Sequence, residues 1–244
     1  MRIAVVTPSK PSRAKLLEEC RASVQAQTTP AAMHAVMVDE KLEGPAIIRN
    51  RIVQSLPAEI DFLAPLDDDD LALPQHLELL SAHSENADVI YSPPTGYGSG
   101  SIHEFNAKEL PGRNHVGMTS LVRRSMFEKV GGFDPKVKFE DWDLWKRILK
   151  AGGRFCYVPT ATWVYRQQED SRNHDLCGPA FKRVHGRYAG DTLTQNWWDN
   201  HSRRKPDESR DNSRPVQVQR SVHPFLGNRQ QVRAINPQNP STGR

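Results

Sequence analysis

The residues best suited to chemistry are the four adjacent carboxylates in Leu66-Asp-Asp-Asp-Asp-Leu-Ala-Leu-Pro74. Neighbouring carboxylates repel one another, so a chain that keeps four together needs a counter-charge or full solvation. In an extended backbone Asp67 and Asp69 point to one side, two residues apart. Two hard oxygen donors of this kind suit Mg²⁺ or Mn²⁺, which keeps its remaining positions for water and substrate phosphates. The plain alternative is a solvated acidic turn, with Asp70 near the next helix supporting its dipole.

Spacing weakens two rival readings of the cluster. A calcium loop starting at Asp67 would put Leu71 and Ala72 where a ligand and a glycine belong, although Glu78 falls at the last position. A phosphatase of the haloacid-dehalogenase type also carries Asp-x-Asp after a strand. Its pair follows the first strand, with Thr or Val two residues on; here the pair follows the third strand and Leu71 stands there.

The first 90 residues alternate strand and helix patterns. Ile3 to Thr7 is a short buried strand, and Leu16, Leu17, Cys20 and Val24 form a helical stripe. Ala35 to Val38 is a second strand, and Ile47, Ile48, Ile52, Val53 and Leu56 mark a second helix. Ile60 to Leu66 is a third strand, in which Pro65 predicts an edge or a bulge. Pro74 opens a helix with Leu77 and Leu80 inward, and Val89 to Tyr91 is a fourth strand. Such alternation implies a mostly parallel, Rossmann-like α/β sheet with helices on both faces. Its ligands lie at the carboxyl ends of the strands, where Thr7, Asp39 and Asp67 fall.

The second half differs. Ser92 to Val116 is rich in Gly and Pro and reads as loop. Arg124 to Val130 is a short helix closed by Gly131-Gly132. Glu140 to Ala151 is a stronger helix, with Leu144, Trp145, Ile148 and Leu149 as its apolar face. Phe155 to Val158 and Thr162 to Tyr165 read as strands, and Phe181, Val184 and Tyr188 as a last helix.

Composition narrows the class further. No apolar run approaches the ~18 residues of a membrane span. Three cysteines (Cys20, Cys156, Cys177) with no C-x-x-C pair argue against a disulfide framework or zinc ribbon and for a reducing, cytoplasmic setting. The formal net charge of +4 belongs to the tail. Residues 201–244 hold nine Lys and Arg against three Asp and Glu, leaving the preceding 200 residues at −2. A nearly neutral core weakens a nucleic-acid partner without ruling it out. The tail, with five prolines and no apolar period, is expected to be flexible.

The motifs together resemble glycosyltransferase family 2, the nucleotide-sugar enzymes of the GT-A fold, over about residues 2 to 170. Val5-Val-Thr-Pro8 is similar to the family's opening strand and turn, and Met37-Val-Asp39-Glu40 to its strand ending in an acidic residue. Gly44 to Asn50, ending in Arg49-Asn50, is similar to its Gly-x-x-x-x-Arg-Asn element. Leu66 to Pro74 matches Leu-Asp-x-Asp-Asp-x-x-x-Pro. Arg123 to Pro135 matches a stretch ending in Gly-Gly-Phe-Asp, and Glu140 to Trp145 matches a Glu-Asp element.

The resemblance implies a GT-A domain over 1–200, with a nucleotide-sugar-binding half at 1–91 and an acceptor-binding half at 92–200, followed by the 201–244 tail. It implies an inverting transfer from a UDP-sugar to an acceptor hydroxyl on a glycan, a protein or another molecule. Mn²⁺ or Mg²⁺ would sit on Asp69 and Asp67, with Thr7, Pro8, Asp39, Arg49, Asp67 and Asp68 around the donor. Asp39 would accept the uracil N–H, and Arg49 would pair with Asp67 or a phosphate. Asp141 would be the base, beside Glu140, and the helix dipole would favour its anion. Each has a plainer alternative: Asp39 caps a turn, Arg49 makes a surface salt bridge, and Glu140 and Asp141 cap their helix. Trp142 and Trp145 are expected in the core and acceptor wall, and His115 is expected to be solvated. One departure stands out. Tyr165-Arg166-Gln167-Gln168 has Gln168 where many relatives carry a metal-binding His, with His174 as a possible substitute. The reading from another class is a non-catalytic GT-A-like protein that binds a glycan or nucleotide.

Overall fold

The computed structural model describes residues 1–95 and 101–166. The expected helix around Phe181, the 201–244 tail, Cys177, Gln168 and His174 lie outside these residues. The strands are β1 (Ile3–Ser9), β2 (Met33–Val38), β3 (Phe62–Pro65), β4 (Leu71–Ala72), β5 (Val89–Tyr91), β6 (Pro94–Thr95), β7 (Ser120–Arg123), β8 (Phe155–Tyr157) and β9 (Trp163–Val164). The helices are α1 (Ala14–Gln25), α2 (Pro45–Ser55), α3 (His76–Ser81), α4 (Arg124–Lys129) and α5 (Glu140–Lys150). No helix among the described residues is long and apolar enough to cross a membrane.

Six strands form the main sheet in the order β2-β1-β3-β7-β5-β8. Its pairings are parallel except those of β7, which runs antiparallel to both β3 and β5. Alternation along β1 splits the core between the two faces. Ile3 and Val5 pack with Cys20, Val24, Leu77 and Leu80 of α1 and α3. Ala4 and Val6 pack with Ile48 and Ile52 of α2, Phe127 of α4 and Trp145 of α5. Helices therefore cover both faces, as the alternating pattern predicts.

β3 is central, which overturns the edge expected from Pro65. Leu66 N donates to Val6 O at 3.1 Å. Alternation turns the Pro65 nitrogen to the other side, beyond the Phe62–Leu63 stretch that pairs with β7. The missing N–H therefore breaks no ladder bond.

A second, three-stranded sheet has the order β4-β9-β6. Its elements are only two residues each, yet they fix the acidic segment. That segment leaves the main sheet at β3 and is caught again at β4, where Leu71 pairs with Val164 and Ala72 with Trp163. Residues just past β9 are thereby brought beside it.

Candidate active site

The acidic segment folds as a turn, with Asp70 N donating to Asp67 O at 3.1 Å. The turn sorts the four carboxylates. Asp68 is buried and points inward, accepting from Ser9 Oγ at 2.7 Å and Arg13 at 2.9 Å. Asp67, Asp69 and Asp70 each offer an oxygen within 4.8 Å of the others. Extended-chain alternation pairs Asp67 with Asp69; the turn swings Asp70 round to join them.

Two arginines oppose this charge. Arg13 reaches Asp69 at 2.7 Å as well as Asp68. Arg49 is buried, donating from Nη2 to Asp67 and from Nη1 to Glu140 at 3.0 Å. Burial disfavours the guanidinium, but Asp67 and Glu140 outweigh it and raise its pKa. The surface salt bridge considered for Arg49 is thus replaced by a buried one. Asp69 is pushed up to about 6 by burial and then by Asp67, with Arg13 acting against them. Asp70 is also raised, first by burial and then by Asp67. Three crowded hard-oxygen donors, with the charge of Asp69 and Asp70 disfavoured, fit a divalent cation. The other two ligands considered, Gln168 and His174, lie outside the described residues.

Arg166 holds the turn from behind. Its backbone N–H donates to Asp70 Oδ1 at 3.0 Å, and its guanidinium binds the Asp69 carbonyl and the Glu19 carboxylate. The β4–β9 register delivers it there, a signal absent from its local sequence.

Glu140 and Asp141 open α5. Glu140 is joined to Asp67 through Arg49, while Asp141 Oδ2 accepts from Asn114 Nδ2 at 3.0 Å. Asp141 is pushed up to about 6, by burial first and the adjacent Glu140 second. The expectation that the helix dipole keeps it an ordinary anion is therefore corrected: burial outweighs the favourable bonds from the Trp142 amide and Asn114. Asn114 is a site residue that sequence reasoning missed, lying in a loop with no periodic pattern.

The second half of the Arg49-Asn50 pair ties α2 to Gly131-Gly-Phe-Asp134. Asn50 Nδ2 donates to Phe133 O at 2.8 Å, and Phe133 N donates back to Asn50 Oδ1 at 3.0 Å. Gly132 has φ +69°, and a Cβ there would meet Asn50 Oδ1 at 2.8 Å. Both the backbone conformation and the close approach require glycine.

Other predicted residues fall as follows. Thr7 and Pro8 are buried in β1, and the Thr7 hydroxyl meets His34 Nε2 at 2.9 Å. Asp39 follows β2 and accepts from the Glu43 and Gly44 amides at 2.9 and 2.7 Å, the capping geometry considered for it. No bond links Asp39 to the acidic turn among the described contacts. Trp142 and Trp145 are buried, donating their indole N–H to Leu110 O at 2.7 Å and Val116 O at 3.1 Å. His115 is fully buried rather than solvated, because its ring stacks on His103 inside the loop.

The chain is similar to known proteins in sequence and in fold. The family model described as the N-terminal domain of galactosyltransferase matches residues 101–169. An uncharacterized glycosyltransferase of Bacillus subtilis, YwdF, is 28% identical over 162 residues, 58% of each chain. This chain thus matches less than two thirds of that relative's length. S. aureus TarS 1–349, solved with UDP-GlcNAc, superposes with a TM-score of 0.57 at 17% identity, covering 75% of this chain and 64% of that one. The mannosyltransferase PcManGT of Pyrobaculum calidifontis, with GDP-Man and Mn²⁺, gives 0.56 at 16% identity over 70% and 58%. A mutant Drosophila β-1,4-galactosyltransferase 7, with manganese, UDP-Gal and xylobiose, gives 0.53 at 18% over 75% and 79%. The chain thus has the GT-A fold, and its partial family match and its relative make it similar to glycosyltransferases.

Proposed function

We propose that this protein transfers a sugar from a nucleotide-sugar donor, a UDP-sugar in the first instance, to an acceptor hydroxyl with inversion. The observation that carries the reading is the Asp67–Arg49–Glu140 bridge. One buried guanidinium joins the acidic turn at the donor end to the residue beside Asp141. Donor and base are thereby held in a fixed relation, which positioning catalysis requires.

Asp69 and Asp67 are the proposed ligands for Mn²⁺ or Mg²⁺, whose charge offsets that developing on the diphosphate. Manganese beside a nucleotide sugar in the PcManGT and galactosyltransferase 7 structures supports this choice. Asp39 is the proposed reader of the uracil N–H. Two amides already occupy it, but a carboxylate has about four acceptor sites. Thr7, Pro8 and Asp68 support the donor site from within, through β1 and the Ser9–Asp68 bond.

Asp141 acts as the base. Its carboxylate takes the acceptor's hydroxyl proton while the acceptor oxygen forms a bond to the anomeric carbon. The bond from that carbon to the diphosphate oxygen breaks, and its electron pair leaves with UDP. Asn114 orients the carboxylate throughout.

The second reading, a non-catalytic nucleotide or glycan binder, draws on Arg13, which already neutralises Asp68 and Asp69 without a metal. Hydrolysis of UDP-sugars with Mn²⁺ and no acceptor distinguishes the two. Slow Mn²⁺-dependent release of UDP is expected; binding without release would favour the binder. In Asp69→Ala, thermal stabilisation by UDP should lose its Mn²⁺ dependence. Unchanged Mn²⁺-dependent stabilisation in that variant would overturn the ligand assignment.

A further inference from the structure

Past Ser101, the loop that leads into β7 has neither helix nor strand over residues 102–119. A long irregular stretch inside a compact fold needs ties of its own or serves a function. Three side chains with metal-ligating atoms converge in it. One ligand atom from each of His103, Glu109 and His115 lies within 4.8 Å of the others. The two imidazoles stack with centroids 4.7 Å apart and planes 4° from parallel, so the partly exposed His103 ring must turn for both in-plane lone pairs to meet at one ion.

Hydrogen bonding fixes which nitrogen is available. His103 Nδ1 meets the Glu104 carbonyl at 3.0 Å, and His115 Nδ1 meets the Arg113 carbonyl at 3.2 Å. A carbonyl only accepts, so each Nδ1 carries a proton, and each neutral ring keeps its lone pair on Nε2. Metal-ligating histidines are oriented this way, the second nitrogen donating to a backbone carbonyl. His103 Nε2 faces Glu109 Oε1 at 3.4 Å. A cation between these two atoms would be held by both. Their separation is close to the roughly 3.3 Å between two donors held at ~2.0–2.1 Å around a tetrahedral ion.

We propose that His103, Glu109 and His115 form a zinc site that staples the 102–119 loop, with water in the fourth position. Two imidazoles and a carboxylate suit Zn²⁺, whereas the all-oxygen acidic turn suits Mn²⁺ or Mg²⁺. The partly exposed His103 and Glu109 give the ion a route in, while buried His115 forms the floor. Binding takes over the His115 Nε2 lone pair that now accepts the Asn106 amide at 3.1 Å. Glu109 also pairs with Arg113 at 3.2 Å, which the exposed arginine can release.

The test uses the full chain, chelator-treated, with Zn²⁺ alone and no nucleotide sugar, so it stands or falls apart from the transferase reading. Calorimetric titration of the wild type should show one Zn²⁺ equivalent that His103→Gln and Glu109→Gln each weaken by at least about tenfold. Saturating Zn²⁺ should raise the melting temperature by several degrees in the wild type alone. Both variants sit at partly exposed positions and should fold, which their melting temperatures without metal will verify. Co²⁺ as a spectroscopic probe should give the visible absorption of a tetrahedral nitrogen–oxygen site, lost in both variants. Equal Zn²⁺ binding by wild type and variants would place the ion elsewhere and overturn the proposal. So would the absence of Zn²⁺ binding.

Discussion

At the scale of single residues, the site turns on how burial sets charge. Asp141 is the proposed base, and burial followed by Glu140 pushes it up to about 6, against bonds from the Trp142 amide and Asn114 and the charge of Arg49. A base works in its ionised form. Turnover at saturating donor and metal should therefore rise with pH through about 6 and level off above it. Asp141→Asn keeps the shape but removes the proton acceptor. Its turnover should fall by roughly 10²–10⁴ while the donor dissociation constant stays nearly constant. Asn caps a helix almost as well as Asp, so a purely structural role predicts near-wild-type transfer. Stopped assays with donor saturating, run from pH 5 to 8 on both proteins, separate the outcomes. Near-wild-type turnover in Asp141→Asn would move the assignment to Glu140 or Asp143.

At the scale of elements, legibility follows the length of the apolar pattern. β1 and α5 read directly from the sequence because each buries several consecutive or periodic residues, and β2 because its apolar run sets the partly buried Ala35 and Met37 against the same core. β7 does not read, because Ser120–Arg123 is four residues long, joins α4 directly and takes its place by pairing with β3 and β5. β4, β6 and β9 have two residues each, and only tertiary register defines them. The same limit hid Arg166 and Asn114, whereas Asp67 and Asp69 were legible from local spacing. Gly131-Gly132 was legible as a helix stop, but not as a docking point for α2. That second role makes a paired prediction. Both glycines have positive φ, so alanine at either costs roughly 1–2 kcal/mol. A Cβ on Gly131 meets nothing within 4 Å, whereas one on Gly132 meets Asn50 Oδ1 at 2.8 Å. Gly132→Ala should also disturb the reciprocal Asn50–Phe133 bonds, each worth about 1 kcal/mol. Urea denaturation should rank Gly132→Ala below Gly131→Ala by about 1–2 kcal/mol, and equal losses would count against the docking role.

At the scale of the whole molecule, three polar ties around the site link segments far apart in sequence, beside the β4–β9 strand pairing. Arg166 grips the acidic turn from beyond β9, Asn50 locks to Phe133, and Arg49 bridges Asp67 and Glu140. Arg49 is the tie with most at stake. It is 2% exposed, its guanidinium lies over the Phe133 ring at 5.4 Å, and its Nε has no hydrogen-bond partner. Burial of that kind is costly unless the charge is paired, and removing one member of a buried pair typically costs about 3–5 kcal/mol. Arg49→Met fills similar space without charge and leaves Asp67 and Glu140 to repel. A melting-temperature loss of about 10 °C follows if each kcal/mol is worth ~2–4 °C in a domain of this size. Glu140→Gln added to Arg49→Met removes one orphaned charge and should recover part of the loss. A solvent-facing phosphate ligand behaves differently: its neutral variant keeps the wild-type melting temperature and only weakens UDP binding. Thermal melts of the single and double variants, with and without UDP, therefore decide whether Arg49 braces the acidic turn against α5 or serves the donor directly. An unshifted melt in Arg49→Met would sink the bracing role.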